Sequence, residues 1–154
     1  MNDATGPERK NALASAGGSK MKVTVPFEVL WGDADPSGWI YYAAALRYFA
    51  EAEAKFYREI GMMTSQMLDQ GFANPRVNLS VTYLKPFKVH DQGFIHAWID
   101  EVGRSSIKMN FELKDKYNSE VYIRGSLVTV IVDITKEKSI PIPEILKSRL
   151  SERS

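Results

Sequence analysis

An α+β domain is predicted by two features of the chain. A stretch with apolar residues at helical spacing, about five turns long, follows a short strand and an acidic turn, and nearly every patterned segment after it alternates with period two. Strands and helices do not alternate and there is no glycine-rich phosphate loop, which argues against a doubly wound dinucleotide-binding sheet. The expected architecture is an antiparallel sheet of about five strands burying one long central helix, with four strands in meander-like order, as a single domain over residues 21–154.

Residues 1–20 are rich in Ala, Gly, Ser and Asn and lack periodicity, so they are expected to form a disordered tail. Val23, Val25, Phe27, Val29 and Trp31 then alternate with Lys22, Thr24, Pro26 and Glu28, as in a strand buried on one face. Pro26 puts that strand at a sheet edge or turns its missing donor outward. The segment from Trp31 to Tyr42, Trp-Gly-Asp-Ala-Asp-Pro-Ser-Gly-Trp-Ile-Tyr-Tyr, is a turn carrying two carboxylates. Gly38 suits a backbone conformation or close approach that a side chain would block.

The helix is expected over Ala43 to Ile60, with Leu46, Phe49, Ala50, Glu53, Phe56 and Ile60 on its buried stripe and Gly61 as its stop. Glu51 and Lys55 have the spacing of a solvated i,i+4 pair. A shorter helical segment runs from Thr64 to Gln70. Strands follow at Val77–Tyr83, Gly93–Val102 and Ile107–Leu113, then a turn at Tyr117-Asn118-Ser119, a long strand from Val121 to Ile134, and a C-terminal helix from Pro143 to Leu150.

Composition removes several function classes. A net charge of +1 lacks the electrostatic footprint of a nucleic-acid binder, and with no cysteine there are no disulfides, thiol nucleophiles or thiolate metal sites. No apolar run reaches the ~20 residues needed to span a bilayer, and the N-terminus lacks the apolar core of a secretory signal, so a cytoplasmic location away from membranes is expected. His90 and His96, six apart on an expected strand, would stand ~20 Å from each other, too far to share a metal ion. Neither a metal nor an organic cofactor is expected.

The turn carries the chemistry. Asp33 or Asp35 would face a helix N-terminus, whose unpaired N–H groups and partial positive charge can polarise a carbonyl oxygen, so the pattern suggests attack on an acyl carbonyl. At Gly32-Asp33-Ala34-Asp35-Pro36-Ser37-Gly38, followed by Trp39-Ile40-Tyr41-Tyr42, the chain resembles the hotdog-fold acyl-CoA thioesterases. Within them it is most similar to the 4-hydroxybenzoyl-CoA thioesterase group, with its Asp-x-Asp-Pro-x-Gly segment followed by an apolar pair and a tyrosine.

The resemblance, over roughly Val23 to Ile134, implies a curved antiparallel sheet wrapped around the helix. It also implies a homodimer or homotetramer with active sites between subunits, and an acyl-CoA substrate. By resemblance Asp35 is the catalytic carboxylate, attacking the thioester carbonyl directly or activating water, and the Tyr42 backbone N–H is the oxyanion donor. Trp39, Tyr41 and Gly38 would border an acyl pocket, with an aromatic acyl group favoured over an alkyl chain. Arg104, Ser105 and Lys108 would hold the nucleotide, with Lys85, Lys88 and Arg124 as further basic candidates.

The chain departs from relatives in having Ala43 where many carry histidine after the tyrosine, and Ala50 where many carry an acidic residue. Another hotdog class uses a helical glutamate, which makes Glu51 and Glu53 rivals to Asp35. Asp33 is expected to shape the loop through hydrogen bonds. Two alternatives to an enzyme stand beside this reading: a non-catalytic acyl-thioester binding protein, and a structural oligomerisation module.

Overall fold

The structure is a computed structural model and describes residues 21–153. The tail expected over residues 1–20 lies outside the described residues. Eight strands and three helices follow in chain order. Strand β1 (Lys22–Glu28) leads through a single 3-10 turn into helix α1 (Ala44–Glu59) and a short helix α2 (Thr64–Asp69). Then come β2 (Phe72–Ala73), β3 (Arg76–Tyr83), β4 (Gln92–Val102), β5 (Ser106–Asp115), β6 (Val121–Val130), β7 (Val132–Asp133), β8 (Lys138–Ser139) and helix α3 (Glu144–Arg153). The main sheet has the order β1-β4-β5-β6-β3 and is antiparallel throughout, while β2, β7 and β8 form a small second sheet.

Alternation along the strands selects the face that meets α1. Ile95, Ala97 and Ile99 of β4, Ile107, Met109, Phe111 and Leu113 of β5, and Ile123 and Leu127 of β6 are buried in one cluster with Tyr48, Phe49, Ala52 and Phe56 of α1. Along one cross-strand row Ala97 pairs with Phe111 and Phe111 with Gly125. Phe49 stacks on Phe111 at 4.6 Å between centroids and 17° between planes. A methyl group on Gly125 would stand 2.4 Å from the Phe49 ring, so the helix can seat there only against bare backbone.

Four expectations change. Leu46 and Ala50 are exposed, whereas Tyr48, Ala52 and Tyr57 are buried. The buried stripe is rotated because both tyrosines find partners inside: Tyr48 donates to Asp33 at 2.6 Å, and Tyr57 meets Asn74 and Thr129. The meander covers only β4, β5 and β6, since β3 joins beyond β6 and its link to β4 must cross the end of the sheet. The strand expected to run from Val121 to Ile134 breaks at buried Ile131, whose N–H turns to the Ser105 carbonyl at 2.8 Å before Val132 enters the second sheet. Finally, Glu51 pairs with Arg47 at 3.1 Å and Lys55 with Glu59 at 3.7 Å, because the Lys55 ammonium also donates to the Thr24 carbonyl at 3.1 Å and is drawn toward β1.

Arg149 of α3 donates to the Ile60 and Gly61 carbonyls at 3.1 and 2.8 Å, setting a cation on the C-terminal end of α1, where the helix dipole favours one. Among the described residues no helix is long and apolar enough to cross a membrane. Gly125→Ala is expected to force Phe49 off its seat and cost about 1–3 kcal/mol, read as a fall of several degrees in Tm by calorimetry.

Candidate active site

Residues 33–41 fold into a miniature hairpin. Ala34 bridges Ile40, the Asp35 N–H donates to the Trp39 carbonyl at 3.0 Å, and the Tyr41 N–H donates to the Asp33 carbonyl at 2.7 Å. The tip is closed by the Gly38 N–H on the Asp35 carbonyl at 2.9 Å, with Gly38 at φ +80°, a conformation that strains an L side chain. The link from β3 to β4 holds the hairpin from the side: the Ile40 N–H donates to the Phe87 carbonyl at 2.7 Å and the Val89 N–H to the Gly38 carbonyl at 3.0 Å.

The two carboxylates have opposite surroundings. Asp35 is exposed and accepts the Ser37 hydroxyl together with the Ser37 N–H at 2.8 Å; these bonds, the hydroxyl first, hold its carboxyl below the usual range. Asp33 is buried. It accepts the Tyr48 hydroxyl at 2.6 Å and the Leu30 N–H at 3.3 Å, and forms an ion pair with Arg47. Burial works to raise its carboxyl, and the bonds from Tyr48, Arg47 and Leu30 outweigh it, so the net shift is downward. The same burial, helped by the Asp33 charge, pushes the Tyr48 phenol far up.

Between the hairpin and the β3–β4 link lies a groove of about 290 Å³, walled by Asp35, Trp39, Ile40 and Tyr42 from one segment and by Tyr83, Leu84, Lys85 and Pro86 from the other. The Tyr83 hydroxyl donates to the Tyr42 carbonyl, and among the described residues no carbonyl accepts the Tyr42 N–H. Among the described residues no side chain caps the start of α1, and its first turn holds no acid, so its N-terminal partial charge is not neutralised there. Asp35 and Tyr42 thus line one largely apolar groove, with the start of α1 two residues beyond Tyr42. That set can attack a carbonyl carbon and hold the oxygen that becomes negative.

Other sequence-predicted residues fall elsewhere. The Tyr41 ring packs on Tyr42 at 4.6 Å and does not line the groove. Lys85 lines it, paired with Glu120 at 2.5 Å, and exposed Lys88 bridges Trp39 through its backbone. Arg124 borders a cavity over Trp98 and Asn110 instead. Arg104, Ser105 and Lys108 sit at the β4–β5 turn, at the other end of the sheet. Strand β4 alone, 11 residues long, separates the two ends by on the order of 30 Å at ~3.3 Å per residue. Lys108 is paired there with Asp100 at 3.4 Å.

Of the helical glutamates, Glu51 is exposed, and Glu53 is buried with its carboxyl raised by burial against the pull of its Arg76 partner; neither lines the groove. His90 precedes β4, edge-on to Trp31, and His96 is buried between Thr24 and Asn118 at 2.9 and 2.5 Å. Among the described residues no three His, Asp or Glu side chains gather as a metal ion would need. Sequence reasoning did not find Tyr83 and Leu84 as groove residues; the available signal was an apolar pair spanning both strand faces just before Lys85-Pro86.

This combination of an antiparallel sheet and a central helix packed against it is a hotdog fold. The model of the Thioesterase-like superfamily matches residues 29–150, and the chain belongs to that superfamily. The Bacillus subtilis (strain 168) protein YneP, provisionally named an acyl-CoA thioesterase, is 25% identical over 117 residues, which are 75% of this chain and 81% of that protein. Slr0204, a 1,4-dihydroxy-2-naphthoyl-CoA thioesterase from Synechocystis, is similar in structure with a TM-score of 0.78 at 18% identity, over 86% of this chain and 97% of that one. For BH1999 gentisyl-coenzyme A thioesterase the TM-score is 0.73 at 23% identity, over 83% and 99%.

Ser37→Ala removes the hydroxyl that favours ionised Asp35. The Asp35 titration midpoint, followed by carboxyl carbon NMR, is then expected to rise toward the ordinary aspartate value of ~3.9, with the fold unchanged.

Proposed function

We propose that this thioester hydrolase acts on acyl-CoA, releasing the free acid and CoA, with Asp35 as nucleophile or as the base that activates water and the Tyr42 N–H holding the oxyanion. One observation carries the reading: Asp35 and Tyr42, whose N–H has no carbonyl acceptor among the described residues, line the same groove, two residues before the start of α1. Aspartate is ionised at neutral pH, and a thiolate leaves with little acid assistance, so no histidine is required in the loop. An aromatic acyl group, 4-hydroxybenzoyl-like in size, suits walls made of Trp39, Tyr42 and Tyr83. The Synechocystis and BH1999 relatives are named for aromatic acyl-CoA substrates, which supports the same choice.

The working unit in this reading is a homodimer or homotetramer. Strand β3 is a sheet edge whose side chains from Val77 to Tyr83 include no charge and no proline, with Val77 58% and Leu79 44% exposed. Such an edge is a template for a second strand. Antiparallel pairing of two β3 strands about a two-fold axis would reverse the partner's sheet. Its β4–β5 turn would then come to the Asp35 end, which is how Arg104, Ser105 and Lys108 could serve a nucleotide in a site they do not reach within one chain.

The test is hydrolysis of benzoyl-, 4-hydroxybenzoyl-, phenylacetyl- and octanoyl-CoA with free thiol detected. Wild type is expected to prefer an aromatic member, and Asp35→Asn to lose at least ~100-fold in kcat, about 2.7 kcal/mol of barrier. Full activity of Asp35→Asn would remove Asp35 from the mechanism. By light scattering the wild type is expected as a dimer or larger and Leu79→Arg as a monomer; a monomeric wild type at micromolar concentration would remove the oligomer.

A further inference from the structure

Among the buried polar side chains, Asp33 takes three donors, from Tyr48, Arg47 and Leu30, and the proposed chemistry makes no use of it. We infer that Asp33 is the positioning residue of the site, setting both the Asp35 carboxylate and the Tyr42 N–H from one anchored point; this rests on the thioesterase reading above.

The argument is geometric. Asp33 is 6% exposed, and its side chain ties the hairpin to α1 and to the chain just after β1. Oδ2 takes the Tyr48 hydroxyl from α1 at 2.6 Å and the Leu30 N–H from the end of the β1 segment at 3.3 Å, while Oδ1 takes Arg47, also from α1. Tyr48 is itself packed tilted against Phe27 of β1 at 4.8 Å, and the Arg47 guanidinium lies over the Tyr48 ring at 4.8 Å, so neither donor swings freely. The main chain of the same residue closes the open end of the hairpin, its carbonyl accepting the Tyr41 N–H at 2.7 Å.

From that closing pair the two reacting groups are reached by short counts. Asp35 lies two residues along one arm, and Tyr42 one residue beyond the other. Between them run the Ala34–Ile40 bridge, the Asp35 N–H bond to the Trp39 carbonyl and the turn closed by Gly38. Asp35 at the hairpin is exposed, and among the described residues its side chain hydrogen-bonds to Ser37 and to no residue of α1. The β3–β4 link holds the hairpin from the side, and the hairpin's side-chain tie to α1 runs through Asp33. A displacement of the closing pair would separate nucleophile from oxyanion donor while the wall made by Tyr83 to Pro86 stays in place, so a loss at Asp33 should appear in kcat more than in KM.

The experiment measures kcat and KM on the best acyl-CoA at least 15 °C below each Tm for wild type, Asp33→Asn, Tyr48→Phe, Asp35→Asn and the Asp33→Asn/Asp35→Asn double variant. Asp33→Asn offers one oxygen to three donors and is expected to lose at least tenfold in kcat with KM within about threefold. Tyr48→Phe, which keeps the Arg47 contact, should show a smaller loss of the same kind and serves as the readout if Asp33→Asn fails to fold. In the Asp35→Asn background most of the Asp33→Asn effect should vanish, because a positioning residue has little left to position.

Wild-type kcat with a lowered Tm in Asp33→Asn and Tyr48→Phe would make the network purely structural and overturn the inference, as would full additivity in the double variant. Those results leave the thioesterase reading intact if Asp35→Asn is dead. A wild type inactive on every thioester would instead overturn the function and this inference with it.

Discussion

The contact between Phe49 and the bare backbone of Gly125 sets the depth at which α1 lies on the sheet. Because a methyl group there would stand 2.4 Å from the ring, the helix axis is held close, and Phe49 fills the space by stacking on Phe111 in the neighbouring strand. That depth decides where the rest of α1 falls. One residue earlier, Tyr48 meets Phe27, which in turn packs edge-on against Phe87 at 5.1 Å. The helix, the first strand and the β3–β4 link are thus joined by one aromatic chain. The Phe87 carbonyl accepts the Ile40 N–H, which seats the acidic hairpin against that link.

Topology supplies the second wall of that groove. Since β3 lies beyond β6 while β4 lies next to β1, the chain leaving Tyr83 must cross the whole sheet end before it can re-enter. Residues 84–91 make that crossing, and on the way they accept and donate backbone hydrogen bonds along the hairpin at Ile40 and Gly38. A simple four-strand meander would have no such crossing. The fold therefore builds its candidate site from a topological necessity, with the catalytic-type carboxylate on one side and Tyr83 to Pro86 on the other.

Much of this was legible in the chain. Period-two alternation placed β1 and β4 to β6, the acidic turn and its glycine stood out by residue type, and Pro26 pointed to the edge that β1 occupies. The illegible parts have physical reasons. Apolarity alone put Leu46 and Ala50 inside, because a tyrosine ranks as an interior residue only when its hydroxyl has a partner, and Asp33, Asn74 and Thr129 lie far from Tyr48 and Tyr57 in sequence. Strand order is set by a crossing that leaves no periodic trace. Side-chain pairing on α1 depended on a carbonyl of β1 competing for Lys55, which helical spacing cannot see. Arg104 and Asp35 stand at opposite sheet ends because distance along an antiparallel strand is invisible to residue type.

The two borders of the main sheet are unlike each other. On β1, Pro26 removes a donor and Lys22 leans its ammonium over Trp98 at 4.5 Å, so the first border is blunted by residues that resist another strand. On β3 nothing comparable stands between Val77 and Tyr83. A sheet with both borders open could add copies without limit and grow into a fibre, whereas one open border meeting its own symmetry mate leaves nothing exposed to recruit a third. Were β3 to pair with its own symmetry mate, growth by edge pairing would end after that single step, and the proline at the other margin would be the safeguard against runaway polymerisation.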